Sequence, residues 1–153
     1  MIPKQLQKPD FRFCLIRKQS KAPFEKEWQK NGYTFNDPKL LQHIISTGNY
    51  GVIGGYGNLR ILDIDNPDVV DFYKELFKDT FQVKTGSGKL HIYILSDYDT
   101  NHVLTDGLGE LRANNYQCVG VGSMHPSGGI YEVLNDVPIK EYSKEDILKI
   151  LKP

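Results

Sequence analysis

The sequence predicts an α+β domain built on a mostly antiparallel sheet, with helices packed on one face and the other face open. Three observations predict it. Short apolar runs with period-two alternation recur along the chain, and in its second half only brief turns separate them, too short for parallel crossovers. Stretches of helical periodicity with capping signals are intermixed with these strands. Finally, Leu59-Arg-Ile-Leu-Asp-Ile-Asp-Asn66 splits by strand alternation: Leu62 and Ile64 face a core, while Ile61, Asp63 and Asp65 share the other face. At 153 residues the chain has the length of one domain, and residues 1–153 are read as such.

Each element follows in order. Residues 1–10 are a polar lead-in with two prolines, and Phe11 to Arg17 is the first strand. The loop from Lys18 to Trp28 carries Lys18, Lys21 and Lys26 and ends in the only tryptophan. Asp37 caps a helix with Pro38 at its first position, running through Leu40, Leu41, Ile44 and Ile45 to Gly48. Tyr50 to Tyr56 is a strand, and Gly54 to Asn58 reads as a hairpin turn into the Asp63/Asp65 strand. Asn66-Pro67 starts a second helix in which Val69, Val70, Phe72, Tyr73, Leu76 and Phe77 are spaced to bury one side. Phe81 to Thr85 and Leu90 to Leu95 are a strand pair around Thr85-Gly-Ser-Gly-Lys89, with Lys89, His91 and Tyr93 on one face of the second strand. A polar loop follows from Asp97 to Gly107. Leu108 to Ala113 is a strand carrying Glu110 and Arg112 on one face, and Asn114-Asn115 turns into Tyr116 to Val121. Gly122 to Gly129 is a long turn, Ile130 to Leu134 a further strand, and Ser143 caps a last helix.

Composition removes several function classes. With 19 Lys+Arg against 19 Asp+Glu the formal charge is zero, so a nucleic-acid surface must be a local patch. Cys14 and Cys118 lie in apolar strand-like runs and give neither a disulfide framework nor a zinc site. No apolar run reaches the ~18 residues of a membrane span and no signal-peptide pattern opens the chain, so a cytoplasmic protein is expected. Two glycine-rich motifs are not what they resemble. Gly54 to Asn58 leads into a strand, not the helix a dinucleotide fingerprint opens. Gly88-Lys89 fails the P-loop pattern because Val83 stands where Gly is required and Leu90 where Ser or Thr should follow.

The chemistry-bearing residues are acids, a histidine and cations. Asp63 and Asp65 lie two strand rises apart, roughly 7 Å, where like charges repel and a divalent cation would bind. Magnesium or manganese suits such oxygen ligands, and a surface strand end with Asn66 as helix cap is the simpler alternative. In this order, the acidic pair in Ile61-Leu-Asp-Ile-Asp65, the turn and histidine in Thr85-Gly-Ser-Gly-Lys-Leu-His-Ile-Tyr93, and the acid in Gly109-Glu-Leu-Arg112 resemble three motifs of a known superfamily. They resemble the primase–polymerase domains of the archaeo-eukaryotic primases, of the plasmid and phage replication-protein type. Lys21-Ala-Pro with Trp28, and Val121-Gly-Ser-Met-His-Pro-Ser-Gly-Gly with Tyr131, are similar to segments flanking those motifs, so the resemblance spans about residues 11 to 134.

The resemblance implies a catalytic core with an RRM-like half and DNA primase and polymerase activity. It implies metal-dependent transfer of a nucleotide from an NTP or dNTP to a 3′-hydroxyl on a DNA template and primer. Asp63, Asp65 and Glu110 would be the catalytic, metal-holding acids, with Asp106 as a rival for the third place. Ser87, Gly88, Lys89, His91 and Arg112 would bind the nucleotide, and Lys18, Lys21 and Lys26 the nucleic acid. A helicase or a helical accessory domain is the expected partner. A metal-dependent nuclease and a non-catalytic nucleic-acid-binding module are the alternatives.

Overall fold

The computed structural model describes residues 1–151. In chain order, strand β1 (Phe13–Ile16) and helix α1 (Pro38–Ile45) precede β2 (Asn49–Ile53), β3 (Leu59–Ile64) and helix α2 (Val70–Leu76). Then come β4 (Gln82–Lys84), β5 (Leu90–Leu95), β6 (His102–Val103), β7 (Gly109–Arg112) and β8 (Gln117–Val119). The chain continues through β9 (Glu132–Asn135), β10 (Lys140–Glu141) and α3 (Lys144–Leu151). The α+β class with mostly antiparallel strands is as expected, but the strands form two sheets. A small sheet has the order β1-β2-β8, and a large one β6-β7-β3-β5-β4-β9, with the short β10 running parallel to one end of β5.

The alternation expected of β3 is present, and both of its faces are used. Leu62 and Ile64 join Leu90, Ile92, Ile94 and Leu111 in a core closed by Tyr73 of α2, Phe77 just after it, and Ile147 and Leu151 of α3. On the opposite face, Leu59, Ile61, Phe81, Val83 and Tyr93 pack against Phe13, Tyr50, Val52 and Cys118 of the small sheet. The face left open in the sequence reading is thus half covered. Helix α1 packs on β1 and β2 of the small sheet, with Leu40 fully buried, so it lies on neither face of the large sheet.

The helix caps are those the sequence announces. The Lys39 amide donates to Asp37 Oδ1 at 2.9 Å, the Asp68 amide to Asn66 Oδ1 at 2.8 Å, and the Asp146 amide to Ser143 Oγ at 3.1 Å. Each such cap stabilises its helix by about 1 kcal/mol. The second helical segment begins as a 3-10 turn, Pro67–Val69, and only one stripe of it is buried. Tyr73 and Phe77 are inside, whereas Phe72 is 64% and Leu76 46% exposed, because a single sheet face meets only part of the helix. Two expected hairpins are changes of sheet. Gly54 to Asn58 carries the chain from β2 in the small sheet to β3 in the large one, and Asn114-Asn115 carries it from β7 back to β8 beside β2.

Candidate active site

The site is built on the register of the large sheet. Asp63 is the cross-strand partner of Glu110 on β7 and of His91 on β5, so the three side chains form one row on one face. The next row toward the start of β3 is Arg112, Ile61 and Tyr93. Ile61 and Tyr93 are fully buried under the small sheet. The Asp63 row lies at the margin of that cover, where the face opens into a cleft. Asp63, Asp65, Thr85, Ser87, Lys89, His91 and Arg112 line it from the large sheet and the β4–β5 turn. Lys21, Gln117, Cys118 and Val119, with His125 and Tyr131, line the other side.

Two carboxylates directly opposite each other repel, and Arg112 answers that repulsion. Its Nε and Nη2 lie 2.9 and 2.6 Å from Glu110 Oε1, and Nη2 lies 3.8 Å from Asp63 Oδ2. Nη1 donates to the Gln117 carbonyl at 2.7 Å, which ties the guanidinium to the small sheet. On the other side His91 Nε2 approaches Asp63 Oδ1 at 3.5 Å. The imidazole stacks on Tyr131 with centroids 6.0 Å apart, and its buried Nδ1 has no hydrogen-bond partner among the described residues. Burial pushes the Asp63 carboxyl up, but His91, Arg112 and Lys21 outweigh burial and hold it below the usual carboxylate value. Asp63 is therefore ionised at neutral pH.

Asp65 leaves β3 with its amide bonded to the Leu108 carbonyl at 2.8 Å and its carboxylate 3.0 Å from Lys89 Nζ. Lys89 ends the Thr85–Lys89 turn, in which Thr85 Oγ1 accepts from the Lys89 amide at 2.9 Å and meets Ser87 Oγ at 3.1 Å. Gly88 forms the tip at φ +83°. The base of this turn packs against the 122–129 turn: a Cβ on Gly129 would stand 1.8 Å from the Gly86 carbonyl oxygen. Only two glycines permit that approach.

The sequence-nominated residues separate into two groups. Asp63, Asp65, Ser87, Lys89, His91, Arg112 and Lys21 face one cleft. Glu110 adjoins it through its cross-strand place beside Asp63, whereas Asp106 lies in the Thr105–Gly107 turn before β7. Lys18 and Lys26 stand apart and are exposed; Lys26 borders a separate hollow with Glu25, Trp28 and Tyr33. Thr85, Gln117, His125 and Tyr131 line the cleft without having been assigned roles. His125 and Tyr131 lie in a segment quoted for its resemblance, which was the available signal. Gln117 had none.

The fold and this arrangement agree with the match to known sequences. A profile of bifunctional DNA primase/polymerase N-terminal domains, Prim-Pol, covers residues 4–145. The chain belongs to the Prim-Pol family. A search of curated proteins returns no individual match. In this Prim-Pol domain the matched span contains both sheets, the cleft and the start of α3. The family carries DNA primase and polymerase activity in replication, acting on DNA and nucleotides, and its enzymes are generally metal-dependent. Among the described residues no helix is long and apolar enough to cross a membrane.

The donor set fits a hard divalent cation: Asp63 and Asp65 line the same cleft, Asp63 is held ionised, and oxygen is the ligand such ions select. Among the described residues no three His, Cys, Asp or Glu side chains are grouped as a ready ligand cluster. Asp65 is paired with Lys89 and Glu110 with Arg112. Each acid has a cation of the protein's own to exchange for a bound ion.

Proposed function

We propose that residues 1–153 act as one catalytic domain that transfers a nucleotide from an NTP or dNTP to a primer 3′-hydroxyl, directed by a DNA template. The observation that carries this reading is the Glu110–Asp63–His91 row opening onto a cleft whose other side chains are mostly cations and donors. Asp63, Asp65 and Glu110 would hold Mg2+ or Mn2+. When bound, a pair of such ions supplies Lewis-acid stabilisation of the attacking and leaving oxygens.

The chain's own residues account for the rest. Lys89, Arg112 and Lys21 offset the charge of the triphosphate, and the Thr85–Lys89 turn adds the Thr85 and Ser87 hydroxyls beside them. His91, fixed between Asp63 and the Tyr131 ring, adds a ring nitrogen at the acids' edge of the cleft. The bond formed joins the primer 3′-oxygen to the α-phosphorus while its hydroxyl proton passes to solvent, and the bond broken, from the α-phosphorus to the bridging oxygen, releases pyrophosphate. Lys18, Lys21 and Lys26 all lie on the loop after β1 and would contact template and primer separately, Lys21 from within the cleft and Lys18 and Lys26 from outside it. Because the chain as a whole is neutral, DNA affinity rests on these few local cations and is expected to be weak and salt-sensitive.

Primer extension on a primed DNA template, with Mg2+ or Mn2+, tests the reading against the Asp63→Ala/Asp65→Ala variant. Template-directed extension by the wild type and its loss in the variant are expected. Shortening of the primer by the wild type would instead establish a nuclease, and a DNA shift with neither activity would leave a binding module.

A further inference from the structure

The 122–129 turn brings a second histidine to the cleft, and its geometry defines which nitrogen is available. His125 Nδ1 accepts from the Ser127 amide at 3.0 Å and lies 2.8 Å from Ser127 Oγ. A backbone amide can only donate, so Nδ1 carries a lone pair and the ring proton sits on Nε2. Burial, with Lys21 and Lys89 nearby, lowers the His125 pKa below its ordinary value and keeps the ring neutral at physiological pH. The ring is thus held as a donor of one defined tautomer beside two cations.

Its position is fixed from three sides. The His125 amide donates to the Gly129 carbonyl at 2.7 Å, and the Gly128 amide donates back to the His125 carbonyl at 2.8 Å. A Cβ on Gly86 would stand 2.4 Å from His125 Cβ, so the turn bearing Ser87 and Lys89 lies directly against this residue. The Tyr131 ring is shared, with centroids 6.0 Å from His91 and 6.2 Å from His125. Underneath, the buried Asn49 side chain bonds both the amide and the carbonyl of Met124, the preceding residue.

We propose that His125 is a substrate-contacting residue whose Nε2–H donates to a non-bridging phosphate oxygen of a nucleoside triphosphate, on the wall of the cleft opposite Asp65. This rests on the nucleotidyl-transfer reading for the identity of the ligand. A neutral donor among Lys21, Lys89 and Arg112 adds direction where the cations supply mainly charge, and the Ser127 bond spares the ring from turning when phosphate arrives.

The test compares His125→Ala, His125→Asn and His125→Gln by calorimetric titration with dATP in Mg2+, alongside primer-extension kinetics. The Gln amide reaches about as far as Nε2, whereas the Asn amide falls short near the place of Nδ1. Ala and Asn are expected to weaken dATP binding roughly 10- to 100-fold, the size of a hydrogen bond to a charged acceptor, with KM rising more than kcat falls. Gln is expected to recover to within about threefold of wild type. If Ala fails to fold, Gln against Asn still decides the matter. Equal affinity of Ala, Asn and Gln, all folded, overturns the proposal while leaving polymerase activity intact. Wild-type protein that binds dATP through His125 but does not extend primers overturns the polymerase reading alone, and wild-type protein that binds no dATP overturns both.

Discussion

Asn49 is the residue on which the near side of the cleft depends, and its replacement gives the sharpest prediction about stability. It opens β2 with its side chain buried, 2% of the residue being exposed. Nδ2 donates to the Ser20 carbonyl at 3.0 Å and the Met124 carbonyl at 2.7 Å, and Oδ1 accepts from the Met124 amide at 2.9 Å. One amide therefore clips the loop carrying Lys21 to the turn carrying His125. Asn49→Ala removes three hydrogen bonds at about 1 kcal/mol each, so a loss of about 3 kcal/mol is expected. Asn49→Asp keeps the shape but points a buried carboxylate at two carbonyl oxygens, and at neutral pH it is expected to cost more than Ala.

The sign of the pH dependence separates the two variants. Burial beside two acceptors raises the introduced acid's pKa in the folded state above its unfolded value of about 3.9. Its penalty is full above the folded pKa and shrinks as pH falls toward 3.9, where both states bind the proton and the acid again has a hydrogen to donate. Urea denaturation at pH 7 and pH 4, with wild type measured at each, should show Asn49→Asp below Asn49→Ala at pH 7 and the gap narrowing at pH 4. An Asn49→Ala variant within 0.5 kcal/mol of wild type, that being roughly the range of neutral surface changes, would refute the argument. So would a gap that ignores pH.

Two further predictions concern the acids and the packing of the turns. Arg112→Met is expected to destabilise by about 2–3 kcal/mol, because Glu110 loses its hydrogen-bonded cation and faces Asp63 directly. The depressed Asp63 carboxyl adds stability above the ordinary carboxylate pKa that is lost as pH falls through its folded value, so the deficit of this variant should close below about pH 4. Melting in a Mn2+ titration should show the variant stabilised at lower metal concentration than wild type; an unchanged midpoint would remove Arg112 as the competitor for the acids. Gly129→Ala should cost about 1–3 kcal/mol and weaken triphosphate binding, since its Cβ would meet the Gly86 carbonyl oxygen at 1.8 Å and separate the two turns. Denaturation and dATP titration check both halves.

Local signals read well and partner choice read poorly. The caps at Asp37, Asn66 and Ser143 were legible because a cap is written within four residues. The pairing of β4 with β5 was legible because their turn is short. Gly54 to Asn58 and Asn114-Asn115 look like hairpin turns because a reversal is encoded locally, while the partner of the next strand is not. The pairing of β2 with β8 joins Gly51 to Val119, and nothing near either residue announces it. Asn49 was invisible for the same reason: its partners, Ser20 and Met124, come from two distant loops. Phe72 and Leu76 satisfied the helical period yet stay exposed, since periodicity marks a wider stripe than one sheet face covers.

The alternation in β3 was read correctly while its meaning was only half available. Ile61 and Asp63 point the same way two residues apart, and a sequence pattern assigns them one environment. The small sheet divides that environment, burying Ile61 and Tyr93 beneath it and leaving Asp63 and His91 at its margin. The same two-residue step recurs on β5, from Tyr93 to His91 with Lys89 in the turn just before it, and on β7, from Arg112 to Glu110. Polarity rises along β3 and β5 in the same direction, out from under the cover, while β7 carries a charged side chain in both rows. A core face and a chemical face are thus successive rows of one surface. A mutation that shifts the register of β5 by one residue would exchange His91 for a core leucine or isoleucine, destroying site and core together. That coupling fits the place of Asp63 on β3, an inner strand of the large sheet whose neighbours β5 and β7 both hold its register.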